Sequence, residues 1–166
     1  MTIKKEVLGV DIGNVIINHR LMDKDNSDEW QEKYLASPPL KDVFESLKKL
    51  NKQKFNGRIF LVSKCREEAE SLINIWLKKH DFFNKTGIKP ENVFFCRERS
   101  EKEKICRENN ITHFIDDRLE VLSHMVGIIP NLYLFQPDQN EVAKFKQFLS
   151  EVLLINSWSE IIEKIN

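Results

Sequence analysis

The chain has 166 residues, enough for one domain with a real core and short for two. Its 26 basic residues balance its 26 acidic ones, so no net field draws it toward nucleic acid or an anionic membrane, and no run approaches transmembrane length. Cys65, Cys96 and Cys106 fit no C-x-x-C pattern, which argues against a zinc site or disulfide framework; with residues 1–6 lacking a signal peptide's apolar stretch, a cytoplasmic location is expected.

In chain order, Val7-Leu8-Gly9-Val10 reads as a short buried strand that ends at Asp11. Residues 18–39 are mostly polar, with Asp23, Asp25, Asn26, Ser27 and Asp28 before a short helix over 29–35, and Pro38 and Pro39 close the segment. It is either a small flap or a surface loop, and it is too short for a separate cap domain. Leu40, Val43, Phe44, Leu47 and Leu50 recur at helical spacing. A second strand covers 58–62, with Ser63 at its end. Ala69, Leu72, Ile73, Trp76 and Leu77 mark a helix that stops near His80, and Phe82 and Phe83 read as packing beside it. Residues 93–96 form a third strand, 100–109 a helix, and 112–115 a fourth strand followed by Asp116 and Asp117. Residues 131–135 form a fifth strand that Pro137 terminates, and Val142, Phe145, Phe148 and Leu149 mark one closing helix. No repeat or linker divides the chain, so residues 1–166 form one domain.

This alternation predicts an α/β three-layer sandwich with a five-stranded parallel sheet. Right-handed crossovers give the order 5-4-1-2-3, with Asp11, Ser63 and Asp116 at the C-terminal rim where open sheets bind ligands. Asp11, Asp116 and Asp117 brought together repel one another unless a cation intervenes, which predicts a hard divalent ion, most simply Mg²⁺.

Four segments carry a resemblance: Asp11-Ile12-Gly13-Asn14-Val15, Leu61-Val62-Ser63, the helix with Lys102, and Asp116-Asp117. In this order, each at the end of its element, they resemble the four motifs of the haloacid dehalogenase-like superfamily, over nearly the whole chain. The resemblance implies a Rossmann-like fold and a phosphatase acting through Asp11 as nucleophile, with Ser63 and Lys102 as phosphate donors. Lys104 is the alternative to Lys102. It also implies Mg²⁺ on Asp11, Asp116 and the Gly13 carbonyl, with Asp117 binding it through water or orienting a ligand. The departure is Gly13, where the family's phosphatases usually carry a second aspartate as general acid and base, a function worth roughly two to four orders of magnitude. The alternative is therefore a catalytically weak or inactive phosphate-ligand binder. Dehalogenase chemistry is disfavoured, because its hydrophobic substrate is usually enclosed under a helical cap.

The substrate expected is a small phosphorylated molecule. Ser157-Trp158 and Leu134-Phe135-Gln136-Pro137 are loosely similar to segments of cytosolic nucleotidases, while a phosphorylated sugar or phosphoprotein fits the four motifs equally. His19 is either a substrate contact or a structural histidine. Arg97 and Arg99 could grip a phosphate, or join Glu98, Glu101 and Glu103 in a solvated ion-pair surface; Arg118 is expected to balance the acidic pair. Cysteine-phosphatase chemistry is excluded, since Ser71, Lys102 and Thr112 stand six residues after the three cysteines where that mechanism needs arginine.

Overall fold

The computed structural model describes residues 5–20, 22 and 29–165. Its sheet holds six strands, one more than expected, ordered β3-β2-β1-β4-β5-β6. They are β1 Leu8–Val10, β2 Ile59–Lys64, β3 Val93–Cys96, β4 His113–Asp116, β5 Asn131–Phe135 and β6 Leu153–Ile155. Every pairing is parallel. Helices α1 Trp30–Ala36, α2 Val43–Leu50, α3 Glu67–Lys79, α4 Phe82–Thr86, α5 Arg99–Glu108, α6 Leu119–Ser123, α7 Gln139–Lys144 and α8 Trp158–Ile165 complete it.

Successive side chains of each strand face opposite sides, and the core divides accordingly. Val10, Leu61, Ile115 and Tyr133 join α2, α3 and α8 in one apolar cluster. Val62, Phe114, Leu132 and Leu134 join Cys106, Leu119 and Leu122 in the other. No helix among the described residues is long and apolar enough to cross a membrane.

The C-terminal quarter departs from the single helix that its spacing predicts. α7 stops at Lys144, where Phe145 turns to φ −122°, and a 3-10 turn over Lys146–Glu151 leads into β6. Pairing of β6 with β5 outcompetes the helix, and the strand escapes the pattern because Leu153 and Leu154 are exposed while only Ile155 is buried. Trp158 then carries α8 back over the sheet, its indole donating to the Val15 carbonyl at 2.8 Å. α4 and α6 were likewise unexpected; each is a single short stretch of five residues, too brief for periodicity to register.

The 18–39 excursion is pinned at its neck. The Asn18 N–H donates to the Pro38 carbonyl at 2.9 Å and the Leu40 N–H to that of Ile16 at 2.8 Å. The Trp76 indole adds a bond of 2.8 Å to the Ser37 carbonyl. Residues 21 and 23–28 lie outside the described residues, and with them much of the segment expected to be a flap or loop.

Gly9 is required by a close approach. A Cβ there would lie 2.4 Å from Phe114 Cδ2 and 2.9 Å from Ile111 Cδ1. Gly9→Ala is therefore expected to destabilise the fold by about 1–3 kcal/mol through overpacking, read as a lower urea midpoint at unchanged slope.

Candidate active site

Strand register brings the two aspartates together. Val10 pairs with Ile115, and the Asp11 N–H donates to the Ile115 carbonyl at 3.0 Å. Asp11 and Asp116 are thus the next residues at the same rank on adjacent parallel strands, and their side chains leave the same face, toward α5.

α5 supplies the cation. It opens with a capping box in which the Glu101 carboxylate accepts the Glu98 backbone N–H at 2.7 Å, which fixes the first turn and the rotation of the helix. Lys102 then points into the rim, only 3% exposed. Its Nζ donates to Asp11 Oδ1 and to Asp116 Oδ2, each at 2.8 Å. Lys104 lies outside the site, 3.8 Å from Glu108 on the exposed face.

Asp117 completes an acidic group: ligand atoms of Asp11, Asp116 and Asp117 lie within 4.8 Å of one another. Burial pushes Asp11 up to about 6; the Lys102 charge opposes the rise and the Asp116 charge adds to it. Burial, then the charges of Asp11 and Asp116, push Asp117 up to about 8 against Lys102 and the Asn14 amide. Burial alone would discharge Lys102, but Asp11 and Asp116 hold it protonated above the usual lysine range. One ammonium thus serves three carboxylates. The donor set fits a hard divalent cation: oxygen ligands within a common reach and more negative charge than Lys102 neutralises.

Ser63 shares the rim, buried within β2 rather than after its end. Leu61 pairs with Val10, so Ser63 stands one step beyond Asp11 and on the alternate pleat. Among the described residues its side chain makes no hydrogen bond to Asp11, Lys102 or Asp116. Gly13 follows at the same rim, with His19 beside it: a Cβ at Gly13 would lie 3.8 Å from His19 Cδ2.

The rim arginines are engaged elsewhere. Arg97 donates to Glu70 at 2.6 Å and to the Cys65 carbonyl at 3.1 Å. Arg99 and Arg118 both pair with Glu120. Arg118 does not balance the acidic pair with its side chain; its backbone N–H donates to Asp116 Oδ1 at 3.0 Å. Trp76 and Phe82 are fully buried packing. Burial raises Cys96 to about 11 and Cys106 to about 12, so these thiols stay protonated.

Asn14 is a site residue that spacing did not reveal. It sits at φ 57°, a left-handed conformation that asparagine tolerates better than most residues. Its amide Nδ2 is 3.5 Å from Asp117 Oδ2, and its Oδ1 accepts the His19 N–H at 3.1 Å. The Gly13-Asn14 dipeptide, a turn pair, was its one visible signal.

No family model matches the chain, and no curated protein matches it. Solved structures do. D,D-heptose 1,7-bisphosphate phosphatase from Burkholderia thailandensis is 14% identical with a TM-score of 0.63, over 97% of this chain and 98% of that one. A HAD-superfamily hydrolase from Ehrlichia chaffeensis is 12% identical with a TM-score of 0.62, over 99% and 98%. A haloacid dehalogenase-like hydrolase from Burkholderia xenovorans LB400 is 9% identical with a TM-score of 0.62, over 96% of each. At these identities the likeness establishes the fold alone: the chain has the haloacid dehalogenase-like fold, with an aspartate cluster at its rim able to coordinate a divalent metal.

The raised carboxylates give a pH-dependent expectation. Asp117 keeps its proton to about 8 in the folded chain and loses it near the ordinary carboxylate value when unfolded. The folded state then binds more protons, and stability falls as pH rises through about 8. A cation that replaces the proton reverses the loss. Mg²⁺ should therefore raise the melting temperature more at about pH 8.5 than at about pH 6.5, and Asp116→Asn should diminish the shift at both. Equal shifts in wild type and Asp116→Asn would remove this cluster from metal binding.

Proposed function

We propose that the chain is a Mg²⁺-dependent phosphomonoester hydrolase that works through an aspartyl-phosphate on Asp11. Its substrate is a small phosphorylated metabolite, a nucleotide among the candidates. The observation that carries this reading is the Lys102 ammonium held at 2.8 Å from both Asp11 and Asp116 at the C-terminal rim of this fold. One structural neighbour, a D,D-heptose 1,7-bisphosphate phosphatase, supports the same substrate class.

Lys102 occupies Asp11 Oδ1, which orients the carboxylate and leaves Oδ2 to attack phosphorus. The new P–O bond forms as the bond to the leaving oxygen breaks, and its electron pair departs with that oxygen. Lys102 stays charged throughout, since two carboxylates hold its proton, and it meets the growing charge on the phosphoryl oxygens. Ser63 is assigned a second donor role from the neighbouring strand. Asp11, Asp116, Asp117 and the Gly13 carbonyl would hold Mg²⁺, which when bound would supply Lewis-acid neutralisation of the phosphoryl group. Asp11 must be ionised to attack, so activity should rise with pH through about 6.

The test is phosphate release from 4-nitrophenyl phosphate and a panel of nucleotides and sugar phosphates. Asp11→Asn should reduce release to background while the fold persists, because the amide is isosteric and not nucleophilic; chelation should do the same reversibly. Equal rates in wild type and Asp11→Asn would discard the mechanism.

A further inference from the structure

Gly13 leaves the position two residues after Asp11 without a side chain, yet the backbone does not demand glycine there. Its φ lies outside the left-handed region, and a Cβ would meet nothing closer than His19 Cδ2 at 3.8 Å, an ordinary contact. The space that a side chain at 13 would enter is thus faced by the edge of an imidazole, and Cδ2 is bonded directly to Nε2.

That ring is held on several sides. Its Nδ1 lies 3.3 Å from Ser37 Oγ, and Ser37 donates its single hydroxyl hydrogen to the Lys33 carbonyl at 3.1 Å. Ser37 therefore accepts from His19, so the network assigns the ring hydrogen to Nδ1 and a lone pair to Nε2. Tyr34 packs against the ring with centroids 4.2 Å apart. Asn14 binds the His19 backbone N–H and reaches the Asp117 carboxylate. The Tyr34 hydroxyl is pushed up by burial first and then by Cys65 and Asp11. Nε2 is buried and, among the described residues, has no hydrogen-bond partner. A buried polar atom left unpaired, on a ring that borders the Gly13 position, calls for a function.

We infer that His19 stands in for the side chain missing at Gly13: its Nε2 is the base that activates water against the aspartyl-phosphate. The inference rests on the reading of Asp11 as nucleophile and deepens it. In the step, the water oxygen bonds to phosphorus while the bond from phosphorus to Asp11 breaks and its electron pair returns to the carboxylate. The water proton passes to Nε2, and the imidazolium then returns it to the departing phosphate. Burial lowers His19 to about 4, consistent with a ring that is neutral and able to accept at neutral pH. A bare Nε2 has no proton to give a leaving oxygen, so formation of the aspartyl-phosphate depends on leaving-group stability, and aryl or anhydride phosphates react in preference to alkyl ones.

The experiment follows 4-nitrophenyl phosphate in rapid mixing with the full chain and Mg²⁺. His19→Asn keeps an amide nitrogen where Nδ1 meets Ser37 but has nothing at the Nε2 position. It should retain a nitrophenol burst approaching one equivalent while steady turnover falls about 10²–10⁴-fold. His19→Gly should show the same split and regain turnover with added imidazole. Gly13→Asp/His19→Gly, with a carboxylate in the vacated space, should exceed His19→Gly at least about tenfold. Thermal melts monitor folding in each variant. Steady turnover in His19→Asn within about threefold of wild type would overturn the role of His19 and leave Asp11 standing. Parallel loss of burst and turnover, with neither imidazole nor Gly13→Asp restoring activity, would mark His19 as structural and also overturn it. Absence of Asp11-dependent release from wild type would overturn both readings together.

Discussion

A lysine ammonium wedged between two buried carboxylates is the constraint on which the rim of this protein depends. Lys102 and Asp116 are almost wholly withdrawn from water, and an isolated charge there would be prohibitively costly. Their pairing requires three separate parts of the fold to agree. The β1–β4 register places Asp11 and Asp116 at one rank, the capping box sets the phase of α5, and Gly9 lets the Phe114 ring approach β1. That ring also lies beneath Lys102, whose Nζ is 5.5 Å from its centroid, so one aromatic side chain both fills the core and supports the cation. A shift in any of these parts leaves a buried charge unmatched, and the site and the core are therefore stable only together.

The same pairing shows why the site wants a further cation. Three carboxylates face one ammonium, and burial first, then their mutual repulsion, retains protons on Asp11 and Asp117 at pH values where exposed carboxylates are bare. Extra positive charge does not come from the rim arginines, because Glu70 and Glu120 have claimed them. A chain neutral overall thus contains a local negative pocket beside three rim arginines that are already paired. An incoming phosphate dianion would be repelled by that pocket on its own, so phosphate and a divalent ion would be expected to enter as partners.

The parts of this arrangement legible in the sequence are those written into single segments. A hydrophobic run ending in aspartate states both strand and site, which is why Asp11, Asp116 and Asp117 stood out, and Lys102 followed from its place early in a helix. What was hidden depends on contacts between distant segments. Arg97 and Arg99 looked available for phosphate, and their partners Glu70 and Glu120 lie 27 and 21 residues away. β6 was invisible because an edge strand with two exposed leucines has no alternation to read. α8 was missed although Trp158, Ile161 and Ile165 recur along it at helical spacing and are buried.

The relation between Gly13 and His19 belongs to this second kind. A glycine in place of an acid reads in sequence as a deletion of function, because sequence displays only the residue that is absent. In three dimensions the same position is a gap with an occupant, and the occupant arrives from the first turn of the excursion that begins after Ile17. Its orientation is set by Ser37 at the far end of that excursion, which the Trp76 indole ties to α3 through its carbonyl. By closing on its own neck, the excursion brings an imidazole and the serine that fixes its tautomer beside Gly13. A carboxylate at 13 would have added a fourth acidic group beside Asp11, Asp116 and Asp117, whereas a neutral imidazole adds no negative charge.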